Sequence, residues 1–300
     1  MTSGDMRQKR VGGDTIRMFV IVLVVLMIGT SIGGYAISRR ASYQEAHYGN
    51  AEQPDRVELI AWVNRLDTST YTLSMTIRAR PFGNLADASG NFANDATLLN
   101  SSVGNVKAHI AKGDIPQDFE QRVGIVGTVT DYPIDQYTTF LDLHVVGPDG
   151  RELPTAITVL NTDPFFRAST SESDTPWGTS AIQFSARRSE PMQIFAVFVM
   201  VLMLGLAAAA AIAAYYVLRP KRGLHFSACS MLAGMLFALI PLRNAVPGSP
   251  PLGSIIDFAS FFIAEAVISI SLISCIILGY RHELEIERAA SADSATSLSR

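Results

Sequence analysis

Hydrophobic positions along this chain of 300 residues recur in two rhythms. In four stretches they run almost unbroken: 18–38 (MFVIVLVVLMIGTSIGGYAIS), 194–218 (IFAVFVMVLMLGLAAAAAIAAYYVL), 226–243 (FSACSMLAGMLFALIPLR) and 255–280 (IIDFASFFIAEAVISISLISCIILGY). About 20 mostly apolar residues carry a helix across a bilayer, so each stretch predicts a transmembrane helix. The first follows the basic run RQKR, and its apolar run exceeds that of a cleaved signal, so it reads as an uncleaved anchor. Gly29 and Gly33 give it the small-residue spacing that permits close helix contact.

Between the first and second stretches the rhythm changes to period two. Val57, Leu59, Ala61 and Val63 share one face of a strand, as do Tyr71, Leu73, Met75 and Ile77 of the next. Leu141, Leu143 and Val145 repeat the pattern, and so do Ile182, Phe184 and Ala186. One apolar face and one polar face per strand suit sheets packed face to face. The turn-forming runs NRLDTST and GPDGRELP and the long polar loop NLADASGNFANDAT separate the strands. The prediction for 39–193 is therefore an antiparallel β-sandwich of about seven to nine strands. The fold class is mixed: one N-terminal and three C-terminal membrane helices around this domain.

Charge sets the expected sidedness. Arg7, Lys9, Arg10, Arg17, Arg219, Lys221, Arg222, Arg281 and Arg288 flank the spans on one side; Arg39, Arg40, Arg187, Arg188 and Arg243 flank them on the other. The excess favours both termini in the cytoplasm of a plasma-membrane protein. The basic tail 1–17, the basic loop 219–225 and the partly disordered tail 281–300 then lie inside. The domain 39–193 and the Pro/Gly turn 244–254 lie outside. Residues 41–190 hold 19 acids against 11 Lys and Arg, which excludes nucleic acid as a phosphate-contacted partner. The partners expected are the lipid bilayer, a membrane or envelope protein, and a second copy of the chain. Both cysteines, Cys229 and Cys275, fall in membrane stretches, so the outer domain carries no disulfide.

Candidate chemistry is sparse. The chain has no GxSxG nucleophile elbow, no Gly-rich phosphate loop and no calcium-loop spacing. His144 and Asp142 share a strand face, but two residues make a solvated surface, not a metal centre. No cofactor, metal or catalytic residue is assigned, and an enzyme is not expected. Three features stand out instead. Glu265 is an ionisable side chain well inside the last span, to be read either as a functional group or as a protonated carboxyl hydrogen-bonded to a serine of a neighbouring helix. Arg243 and Asp257 bracket the outer turn and could clamp its base. The stretch TDYPIDQY, with Tyr132, Pro133, Asp135 and Tyr137, offers a rigid bend as a structural corner or contact surface.

The turn RNAVPGSPPLGSIID resembles an RNxxPGxPPxGxxxD signature of the domain of unknown function 4436 family, multi-pass membrane proteins of actinobacteria and fungi. RARPFGNLAD and TDYPIDQY are similar to two further stretches of that family, with Ile134 where phenylalanine is more usual. The resemblance runs from about 57 to 280. It implies the same one-plus-three layout around an extracytoplasmic sandwich and brings no activity, cofactor or catalytic residue. The leading functional expectation is a binding or assembly module in the cell envelope. The alternatives are a small transporter or channel component using Glu265 and, last, a membrane-bound hydrolase using outer carboxylates.

Overall fold

A computed structural model describes residues 44–100, 106–174, 180–218 and 226–298, with scattered positions between 18 and 33. The first predicted span, 18–38, the basic tail 1–17 and the basic loop 219–225 thus lie wholly or mostly outside the described residues.

The alternating region folds into thirteen strands among the described residues: β1 Gln44–Gly49, β2 Val57–Asp67, β3 Thr72–Pro81, β4 Ala96–Asn100, β5 Val106–Ile110, β6 Asp118–Gly124, β7 Val126–Gly127, β8 Gln136–Leu141, β9 Leu143–Val146, β10 Glu152–Leu153, β11 Thr155–Asn161, β12 Phe166–Asp174 and β13 Ser180–Arg188. They form three sheets, ordered β1-β11-β2-β3-β6, β10-β9-β4-β5 and β12-β13-β8-β7. Inward positions from all three meet in one core. Val57, Leu59, Ala61, Leu73, Met75 and Ile77 come from the first sheet, Leu98 and Val145 from the second, and Leu141, Ile182 and Phe184 from the third.

Two details depart from the expected antiparallel sandwich. β11 runs parallel to β2, with Thr155 opposite Val57 and Asn161 opposite Val63. The run TTFLDLHVV is not one strand: β8 ends at Leu141 and β9 begins at Leu143, in different sheets. Asp142 is the corner, and the chain passes it without losing its inward alternation, because Leu141, Leu143 and Val145 all remain buried. Tyr71 also leaves the face assigned to it. It sits in the β2–β3 turn with φ 53° and is exposed, because the Asx turn on Asp67 ends the strand before it. The Asp67 carboxylate accepts the Ser69 hydroxyl at 2.6 Å, which holds its pKa below the ordinary carboxylate range.

At the same end of the sheets, Asp163 is buried and accepts the N–H groups of Leu66 and Phe165, each at 2.8 Å. Burial nevertheless pushes its carboxyl above the usual range, since those two bonds only partly replace lost hydration.

Three helices follow, each long and apolar enough to cross a membrane: α1, Glu190–Leu218; α2, Phe226–Asn244; and a π-turn, Asp257–Phe261, that continues into α3, Phe262–Leu298. α1 starts one turn before its apolar run, where Pro191 fits the first helical turn. The backbone of α3 stays helical to Leu298, where a partly disordered tail was expected. The alanines and the ELEIER segment are strong helix formers, so the helix continues past the apolar run.

The chain divides into two compact units. One holds the sheets, up to Val126 and again from Gln136 to Ile194. The other holds the helices from Phe195 onward together with the turn Gly127–Asp135.

Candidate functional site

The helical unit carries the Pro/Gly turn. Arg243, in the last turn of α2, makes a bidentate pair with Asp257: Nε donates to Oδ1 at 2.8 Å and an Nη2 hydrogen bonds Oδ2 at 2.9 Å. Nη2 also donates to the Pro251 carbonyl at 3.1 Å. Asp257 Oδ2 receives the N–H groups of Gly253 at 2.8 Å and Ser254 at 3.2 Å. Ser254 precedes the helix, which opens at Ile255, and Asp257 stands at its third position, so the pair forms the carboxylate half of a capping box. Gly253 has φ +89°, the left-handed conformation that lets its N–H turn toward the carboxylate without side-chain strain. Both charges are withdrawn from solvent, with side-chain exposures of 9% and 0%. The sequence carries the S-x-x-D spacing of Ser254 and Asp257. That spacing is the signal that would have found the cap.

Glu265 lies beside the buried stripe of α3 formed by Phe261, Ala264, Ile268, Ser271 and Cys275. It is half-buried, and among the described residues no hydrogen bond or ion pair reaches it.

The stretch 130–137 is split between the two units. Tyr132 is fully buried in the apolar cluster of the helical unit, with Ala196, Met203, Leu239, Ile256 and Phe261. Pro133, reached through a cis peptide, and Asp135 are also buried. Tyr137 belongs to the sheet core, where its ring meets Phe166 edge-on at 5.8 Å. All four named side chains therefore point inward. Ile134, 62% exposed, is the turn's outward apolar side chain.

In the sheet domain, RARPFGNLAD resolves into a packed corner. Phe82 lies under the guanidinium groups of Arg56 and Arg80, 4.4 and 5.3 Å from its centroid. Gly83, with φ +63°, lies against Pro54 and the Asp55 carboxylate, which accepts the Asn84 N–H at 2.7 Å. A Cβ at position 83 would collide with both.

The outward face of the five-stranded sheet holds a feature that the sequence reading passed over. Trp62 stands on the polar side of β2, with Leu160 and Thr76 as its cross-strand neighbours. Arg78 covers it at 5.3 Å from the ring centroid and pairs bidentately with Asp118 at 2.7 and 2.8 Å. That hydrogen bond holds the Asp118 carboxyl below its ordinary value. Ile60, opposite Arg78, completes an apolar patch within a polar frame. A tryptophan on the polar face of an otherwise clean alternation was the available signal.

His144 Nδ1 lies 3.2 Å from Asp142 and its Nε2 lies 4.0 Å from Glu152. No group of three metal-ligating side chains occurs among the described residues.

Comparison with known families follows the division of the chain. Residues 47–184 match the Domain of unknown function (DUF4436) family. Residues 188–282 match a second family, Domain of unknown function (DUF8686). The match over the sheet domain is consistent with the family that RARPFGNLAD and TDYPIDQY suggested, while the Pro/Gly turn that first pointed to it falls in the second match. No curated protein matches the chain.

Proposed function

We propose that this is an integral plasma-membrane protein whose sheet domain lies outside the membrane and serves as a binding module in an envelope assembly, without catalysis. The observation that carries the reading is the outward face centred on Trp62, with Ile60, Leu160 and Arg78 around it. Tryptophan and arginine dominate the energetics of protein interfaces, and a half-buried apolar centre inside a polar rim is the usual anatomy of one. The partner that fits is a membrane or envelope protein with an apolar side chain to set against Trp62 and a carboxylate to meet Arg78. The sidedness rests on the excess of basic residues in the flanks assigned to the cytoplasm. A photo-crosslinking residue at position 60 in the full-length protein, activated in its own membranes, tests this. A discrete product containing a second protein is expected. Labelling of lipid or solvent alone overturns the reading.

A second reading, a transporter or channel component, draws on Glu265. A half-buried carboxyl without a partner among the described residues is costly in hydrocarbon and is available to a proton or cation. It requires that Glu265→Gln abolish pH-dependent flux in reconstituted vesicles while the protein remains folded.

A further inference from the structure

The end of the sheet domain from which α1 departs carries a second polar feature, on the outer face of the sheet β12-β13-β8. Register places Gln136, Arg187 and Arg167 side by side across its three strands, and Thr138, Ser185 and Ser169 form the next rung. These two rungs line an open cleft of about 420 Å³. All six side chains can donate more than one hydrogen bond or a rotatable hydroxyl, and two are permanently cationic.

Arg167 and Arg187 face each other directly across neighbouring strands, an arrangement that like charges disfavour. One carboxylate is set between them: Glu190 Oε1 lies 2.7 Å from Arg167 Nη1 and 3.3 Å from Arg187 Nη2. One negative charge for two positive ones leaves the cleft with an excess of one cation. Both guanidiniums also keep open surface, with side-chain exposures of 39% and 56%. The cleft can therefore take up one further anion.

Its height along α1 indicates which anion. Glu190 opens the helix, and the apolar run begins at Ile194, four residues later. At 1.5 Å per residue, Glu190 stands about 6 Å beyond the edge of the hydrocarbon. The headgroup layer on each side of a bilayer is about 5–7 Å thick. Glu190, and through it Arg167 and Arg187, therefore stand at the level of lipid phosphates. Phe165, half-exposed, has its carbonyl bonded to the Ser189 N–H at 2.9 Å, so an aromatic side chain borders the site at the depth where such rings collect.

We propose that this cleft binds the phosphate of an outer-leaflet lipid headgroup, with Arg167 and Arg187 as its cationic ligands and Thr138, Ser169 and Ser185 as hydroxyl donors. Glu190 sets the strength of the site by neutralising one arginine. The proposal rests on the reading of α1 as a membrane span.

Native mass spectrometry of the full-length protein, titrated with phosphatidylglycerol, phosphatidylcholine and inorganic phosphate, tests it. Phosphatidylglycerol should bind the wild type best. Replacing both arginines, Arg167→Gln with Arg187→Gln, should weaken it by about tenfold or more, since charge-assisted bonds are lost. Glu190→Gln keeps both cations and should strengthen it, so the test survives a double variant that fails to fold. Unchanged phosphatidylglycerol binding in Glu190→Gln and in a folded double variant overturns the site. Inorganic phosphate binding as tightly as the lipid overturns the lipid as its source. Carbonate extraction of the same membranes reports on the span separately: release of the wild type would sink the membrane reading itself.

Discussion

Arg243 with Asp257 and Arg78 with Asp118 have nearly the same geometry. Each guanidinium grips its carboxylate through Nε and Nη2, at 2.8 and 2.9 Å in the first pair and 2.7 and 2.8 Å in the second. Their surroundings differ. The first pair is 9% and 0% exposed and belongs to the helical unit; the second is 45% exposed on both sides, on an open sheet face. Water screens the exposed pair and solvates either partner if the other is lost. The buried pair has no such reserve, and further bonds, from the N–H groups of Gly253 and Ser254 to Asp257 and from Arg243 to the Pro251 carbonyl, depend on it. Burial and the backbone groups recruited therefore decide what a salt bridge is worth.

The sharpest way to break this comparison is at Asp257. Asp257→Ala leaves Arg243 buried without its counter-charge, and we expect a loss of about 3–5 kcal/mol, read as thermal unfolding in detergent. Arg243→Met should cost less, because Asp257 keeps the N–H groups of Gly253 and Ser254. The double variant Arg243→Met with Asp257→Leu should recover part of the loss, since two apolar side chains leave no orphan charge.

Next comes Asp163, a buried carboxylate whose partners are backbone amides. Asp163→Ala strands the N–H groups of Leu66 and Phe165 and should cost about 2–4 kcal/mol. Its pKa is raised in the folded chain, so the folded state holds the proton to higher pH than the unfolded state. The stability contributed is present below the ordinary carboxylate range and is lost as pH rises through the raised value. Chemical denaturation of wild type and Asp163→Asn across that window should show the wild type losing ground as pH increases; a constant gap would contradict the assignment.

Gly83→Ala should cost about 1–3 kcal/mol, from a left-handed backbone and the collision with Pro54 and Asp55. The smallest effect belongs to the exposed pair. Asp118→Asn should leave the melting temperature unresolved from wild type at physiological salt. If Asp118→Asn destabilised as much as Asp257→Ala, the contrast drawn from burial would fail.

Much of the sheet domain was legible in the sequence because strands with one buried face write a period of two. Val57 through Val63 and Ile182 through Ala186 took the faces assigned to them. What alternation does not encode is pairing. A parallel neighbour for β2, and the change of sheet at Asp142, depend on where distant strands meet, and no local spacing records that. The apolar runs gave three helices because twenty consecutive apolar residues leave few alternatives.

The sites were legible where charge stood against an apolar background. Arg243 and Asp257 stand out for that reason, and the structure brings them together. TDYPIDQY was conspicuous too, but composition does not say which way a turn's side chains point, and Tyr132 and Tyr137 point inward into different units. Trp62 and the Arg167–Arg187–Glu190 cluster were silent because each becomes a feature only through cross-strand register.

The central claim is that assembly proceeds through the outward sheet face. It is tested most directly by the native mass of the tagged full-length protein extracted in mild detergent, compared with Trp62→Ala and Glu265→Gln. The account predicts a complex with a second protein that persists in Glu265→Gln and is lost in Trp62→Ala. A complex indifferent to Trp62→Ala, or one abolished by Glu265→Gln alone, would contradict it.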